Sequence, residues 1–173
     1  MRRTVFILIG ILLLAAPVGA QQRIDDQGFV WTIVAGPGIT NGTALPRCHG
    51  DLCGNGALLR VSLGGEYLSA IGLGVAGDVG YSHAIQDTIF LSGAGELSAG
   101  VIYRIPMRGR TKPFVRGGYT ALVGFGIGHG LHVGGGVTHW FNPRLGLKVD
   151  ARYVAPENNA GWFSVAFGIA FRP

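Results

Sequence analysis

The sequence predicts an all-β protein: an eight-stranded antiparallel up-and-down β-barrel that crosses a membrane with its strands. Three observations lead there. Hydrophobic residues make up 48% of the 173 positions and charged residues only 13%, whereas a water-facing surface carries about a quarter or more of Lys, Arg, Asp and Glu. Beyond residue 20 the chain has no run of about 18 apolar residues that could cross lipid as a helix. It alternates instead with period two, apolar against small or charged, which is the strand pattern. A closed barrel is the remaining way to span lipid, because every backbone N–H and C=O must be paired there.

The first 20 residues, MRRTVFILIGILLLAAPVGA, read as a cleavable export signal. Arg2 and Arg3 form the positive start, Val5 to Ala16 the apolar stretch, and Val18-Gly19-Ala20 the small-residue cleavage site. Cleavage is expected between Ala20 and Gln21. The apolar stretch is short for an uncleaved anchor, and no Cys lies near residue 21 to carry a lipid. Residues 21–28 are polar and read as a short periplasmic lead, and 29–171 as the barrel.

Strands are expected over 29–39, 56–67, 70–83, 90–105, 113–123, 130–140, 144–154 and 161–171, each long enough to cross a bilayer at a tilt, which takes about 9–11 residues. In the first, both faces are apolar: Phe29, Trp31 and Ile33 against Val30, Thr32 and Val34. In the second, Arg60 and Glu66 oppose Leu59, Val61, Leu63 and Tyr67. In the third, Asp78 sits among small residues opposite Ile71, Leu73, Val75, Val79 and Tyr81. Glu96 and Arg104 alternate with Leu97, Val101 and Tyr103 in the fourth, and Arg116 with Val115, Tyr119 and Val123 in the fifth. In the seventh, Lys148, Asp150 and Arg152 alternate with Leu147, Val149, Ala151 and Tyr153. The last is the plainest: Phe163, Val165, Phe167, Ile169 and Phe171 on one face, Ser164, Ala166, Gly168 and Ala170 on the other.

The expected lumen set is therefore Arg60, Glu66, Asp78, Glu96, Arg104, Arg116, Lys148, Asp150 and Arg152, nearly balanced in sign. Eight strands enclose a space that side chains just fill, and charges placed there must pair to offset their desolvation. A salt-bridged plug is expected rather than an open channel. The turns near 68–69, 106–112 and 142–143 are short and assigned to the periplasm; the segments 40–55, 84–89, 124–129 and 155–160 are assigned to the outside. Tyr67, Tyr81, Tyr103, Trp140, Phe141, Tyr153 and Trp162 fall near strand ends, where aromatic girdles belong.

With these segments in place, the chain resembles the OmpA-like outer-membrane β-barrel domain family of small Gram-negative proteins. The resemblance rests on GVAGDVGYSH (74–83), SAGVIYRIPMRGRTKPFVRGGY (98–119), HVGGGVTHWFNPRLGLKVDARYV (132–154) and FSVAFGIAF (163–171), which are spread along the chain from residue 74 to residue 171. It implies an outer-membrane location, contact with outer-membrane lipids and lipopolysaccharide, and a final strand read by the barrel-insertion machinery through Phe163, Val165, Phe167, Ile169 and Phe171. Family members typically end in that Phe; here Arg172 and Pro173 follow it.

Residues that could carry chemistry are few. Cys48 and Cys53 flank His49 and Asp51 in CHGDLC. In an oxidising compartment a disulfide is the favoured reading, since the spacing matches no standard zinc site. His129 and His132 are expected around the third outer loop, with no carboxylate in that loop. Ser82, His83 and Ser164 raise the question of a Ser/His/acid esterase, as in the lipid A deacylase barrels. Adjacent strand residues point to opposite faces, so Ser82 and His83 cannot pair. No helix follows any Gly-x-Gly string, which excludes a nucleotide loop. No metal, no cofactor and no nucleic-acid partner are expected. The net charge of +5 includes Arg2 and Arg3, and the other basic residues form no obvious helical cluster. The function expected is structural or surface-interacting, with no enzymatic activity. The alternatives are a narrow porin, a lipid-modifying enzyme and a soluble lipocalin-like barrel.

Overall fold

Alternation with period two forces each strand to show one side-chain set to each face of the sheet, and here the sheet closes on itself. The computed structural model describes residues 27–40, 56–85, 93–123, 127–157 and 161–173. The expected export signal, most of the lead, and Cys48 and Cys53 lie outside the described residues.

Eight strands follow in chain order: β1 (Gly28–Thr40), β2 (Gly56–Leu68), β3 (Leu73–Ile85), β4 (Gly93–Arg104), β5 (Thr111–Val123), β6 (Ile127–Trp140), β7 (Leu145–Pro156) and β8 (Trp162–Phe171). Each pairs antiparallel with the next, and β1 pairs antiparallel with β8 to close the barrel. No sheet edge is left unpaired, which is what closure achieves. The register of the closing seam runs from Trp31 opposite Phe171 to Thr40 opposite Trp162.

One rule of phase holds around the whole barrel. Even-numbered residues face in and odd-numbered residues face out, because every hairpin pairs residues of like parity, as in Val30 with Glu66, Asp78 with Ser98 and Lys148 with Thr138. This resolves the ambiguous first strand: Phe29, Trp31 and Ile33 are exposed, while Val30, Thr32 and Val34 are buried. The expected lipid faces of the other strands are likewise exposed, from Leu59, Val61 and Leu63 on β2 to Phe163, Phe167 and Ile169 on β8.

Strand ends depart from expectation where turn chemistry intervenes. β3 begins at Leu73, not at 70, and Ile71 lies in the turn, exposed, rather than on the strand's outer face. Gly72 there has φ +82°, and its amide donates to the Ser69 carbonyl at 3.0 Å. A Cβ at Gly72 would sit 2.3 Å from the Arg104 carbonyl oxygen. β5 starts earlier than expected, at Thr111. Pro113 is tolerated within it because its carbonyl accepts from the Ile105 amide at 2.8 Å, a bond needing no N–H from proline. The 141–144 turn is pinned by Asn142, whose Oδ1 accepts from the amides of Arg144 at 2.9 Å and Leu145 at 2.8 Å.

Two aromatic placements need correction. Trp140 and Trp162 are only 5% and 4% exposed. They face inward because their numbers are even, and position near a strand end does not override phase. Most exposed aromatic rings fall at two levels, Phe29, Trp31, Tyr67, Tyr103 and Phe141 toward the short turns and Tyr81, Tyr119, Tyr153 and Phe163 toward the longer connections, while Phe167 lies between them.

Candidate functional site

The interior is built in layers. At the long-connection end Leu58, Ala94, Leu122, Val154 and Trp162 form one apolar cluster. At the turn end Leu68, Ile102 and Phe114 form a second and Val30, Trp140 and Ala170 a third. Between them lie the charges. All nine side chains expected in the lumen are there, and they come from β2, β3, β4, β5 and β7.

The larger charge group centres on Asp78. Its carboxylate accepts from Arg60 Nη2 at 2.9 Å, from Arg152 through both terminal nitrogens, and from Arg116 Nη1 at 3.4 Å. Arg60 also donates from Nε to Glu96 at 2.8 Å, and Arg116 donates to Asp150. Three arginines thus meet three carboxylates, and the group is neutral. The smaller group lies toward the turn end. Glu66 accepts from Arg104 at 2.9 Å and from Lys148, whose ammonium stands 4.6 Å from the Phe114 ring centroid. Arginine suits such a site because its planar fork engages carboxylates with two bonds at once.

Sequence reasoning missed the neutral members of this network. Ser82 donates to Glu96. Arg152 Nη1 donates to Ser98 at 3.1 Å, Ser98 and Thr120 hydroxyls meet at 2.9 Å, and Thr120 meets His132 Nδ1 at 3.0 Å. His132 is therefore a buried lumen residue on β6, not a loop histidine as expected. The signal that could have found it is its even number, in phase with the charges of the other strands. His129, one step out of phase, is exposed, stacks on Tyr119 and lies 3.4 Å from Glu157. That carboxylate comes from the following connection, not from the third outer loop.

Ser82 and His83 stand on opposite faces: Ser82 in the lumen on Glu96, His83 outside and stacked on Tyr81. Ser164 is buried, paired in register with Arg152. The five residues expected to mark the final strand lie together on its outer face, with Phe163, Phe167 and Ile169 exposed and Val165 and Phe171 half-buried. Among the described residues no group of His, Cys, Asp and Glu is arranged to hold a metal ion.

No protein-family model matches the chain, and no curated protein matches it by sequence. Solved structures do. It is similar to Neisserial surface protein A, with a TM-score of 0.66 at 15% identity, over 84% of this chain and 96% of that one. It is similar to a de novo designed transmembrane β-barrel, with a TM-score of 0.55 at 20% identity, over 84% of this chain and 96% of that one. The outer membrane protein OprG from Pseudomonas aeruginosa gives a TM-score of 0.54 at 10% identity, over 85% of this chain and 98% of that one. At these identities the likeness is one of fold: the chain has the closed eight-stranded antiparallel architecture of small outer-membrane barrels.

Proposed function

We propose that the chain is an integral protein of a Gram-negative outer membrane. In this reading the barrel is a rigid, non-conducting, non-enzymatic scaffold, and its long connections present a surface. One observation carries it: among the described strand residues no Asp, Glu, Lys or Arg occupies an odd-numbered, outward position, while Leu, Val, Ile, Phe and Tyr do so on strand after strand. A soluble barrel inverts this, with apolar residues inside and charges in water; a lipid-embedded one requires it. The two aromatic levels suit the two bilayer interfaces. Export would depend on residues 1–20, and insertion on the outer face of β8, read by the barrel-insertion machinery.

The test is heat modifiability combined with fractionation. Membrane-pelleted protein that migrates differently with and without boiling supports the reading. A soluble periplasmic protein with a single mobility overturns it. The apolar clusters at both ends of the lumen and the neutral Arg/carboxylate group between them argue for a closed interior rather than a porin.

A further inference from the structure

Trp140 ends β6 and faces inward at the turn end of the lumen, buried. It lies opposite Gly146 of β7, and Gly146 lies opposite Ala170 of β8. A Cβ on Gly146 would come within 3.1 Å of the Trp140 ring, so glycine there leaves the slot that the indole occupies. Beyond that slot the ring packs with Ala170 and with Val30 of β1. One side chain from β6 thus reaches past β7 and β8 to the far side of the seam, on the turn side of Lys148 and its partner Glu66.

The ring is covered from below. β8 ends at Phe171, and the amide of Arg172 carries the ladder one step further by donating to the Arg144 carbonyl at 2.9 Å. The Arg172 guanidinium lies over the Trp140 ring, 4.0 Å from its centroid. The main chain of Trp140 is held as firmly: its amide donates to the Arg110 carbonyl at 2.9 Å, and the Phe141 amide to the Leu145 carbonyl at 2.9 Å. With both main chains pinned, any motion here belongs to the side chains. The indole N–H of Trp140 is buried and finds no acceptor among the described residues. A buried donor without a partner favours any arrangement in which it meets water. A cation over the indole face opposes that swing, because the ring quadrupole attracts it.

We propose that Trp140 is a lid on the turn end of the lumen and that Arg172 is its latch. The proposal deepens the closed-scaffold reading above and rests on it. With the latch in place, the indole separates the Glu66–Lys148 ion pair from bulk water. With the latch gone, the indole turns its N–H to solvent and the turn end opens. The cluster of Leu58, Ala94, Leu122, Val154 and Trp162 keeps the other end shut, so opening hydrates the lumen from one side and makes no path through it.

The chain holds three tryptophans, and W31F with W162F leaves Trp140 as the sole indole. The full chain on that background is refolded in detergent micelles, where both barrel ends meet bulk water, and quenching by acrylamide reports access to the ring. The ladder bond of Arg172 is made by its amide, which every variant keeps, and heat modifiability verifies each barrel. The parent ring is expected to be strongly protected relative to the boiled protein. R172Q and R172A are expected to raise the quenching constant about threefold, the population shift that loss of one cation–π contact brings. R172K is expected to keep the protection, and R110Q, whose guanidinium meets the Phe141 carbonyl and not the ring, to leave it unchanged. Equal quenching in R172Q, R172A and the parent overturns the latch. A folded parent whose ring is as open as that of the boiled protein overturns the lid, and the barrel reading survives both results. A parent with no heat-modifiable form overturns the scaffold reading and the lid with it.

Discussion

Arg152 on β7 and Asp78 on β3, 74 residues apart in sequence, meet inside the barrel with both guanidinium terminal nitrogens donating to the two carboxylate oxygens. Asp78 also takes Arg60 and Arg116, so one carboxylate serves three buried cations. Removing one partner of such a group leaves uncompensated charge where water does not reach, which costs more than the pair itself contributes. Asp78→Ala is expected to destabilise the barrel by about 3–5 kcal/mol, read as a lower urea midpoint in lipid vesicles. Asp78→Leu combined with Arg152→Leu is expected to recover part of that loss; a double variant worse than the single one would contradict the account.

Placing a charge on the outer belt separates a membrane barrel from a soluble one. Leu97 lies near the middle of β4 and is 61% exposed. In lipid, Leu97→Arg is expected to cost about 2–4 kcal/mol, as charges at the bilayer midplane do. In water the same change at an exposed position would be close to neutral. Vesicle unfolding midpoints of L97R and the parent protein decide between them.

A planar bilayer containing the parent protein is expected to show no steady conductance, since the side chains of two charge groups and three apolar clusters fill the lumen. Arg60→Ala with Arg152→Ala removes two of the largest buried side chains and is expected to admit small ions. Steady conductance by the parent barrel would favour the porin alternative.

Two glycines should respond oppositely to substitution. A Cβ on Gly100 would lie 2.3 Å from the Gly117 carbonyl oxygen of the neighbouring strand, so Gly100→Val is expected to abolish the heat-modifiable form. Gly109 has φ +97°, and a methyl added there would meet nothing within 4 Å. Gly109→Ala is expected to cost only the backbone strain, about 1–2 kcal/mol, and to leave the gel shift intact.

Most of the architecture was legible because the outer face and the lumen carry opposite chemistry. On β8 the large residues Phe163, Phe167 and Ile169 face out, and the small ones Ser164, Ala166 and Ala170 face in. The lumen charges were legible for the same reason: a Lys or Asp between two apolar neighbours can only turn inward. Residues whose type is neutral on the question were not. β1 shows valine on one face and isoleucine on the other, so only pairing in the closed sheet sets its phase. Trp140 and Trp162 were drawn to the girdles by their type and place when phase put them in the interior. Ser98, Thr120 and His132 were invisible as a network because small hydroxyls alternate much as glycine and alanine do, and their link runs across three strands.

The seam between β1 and β8 differs from the rest of the wall. The inward residues of β1 are Val30, Thr32, Val34, Gly36 and Gly38, and those of β8 are Trp162, Ser164, Ala166, Gly168 and Ala170. No ionised side chain stands on either strand. The ion pairs instead reach over the seam from the strands on either side, Lys148 of β7 to Glu66 of β2 and Arg152 of β7 to Asp78 of β3, so an uncharged join is clasped from within by charges that meet only once the barrel is closed.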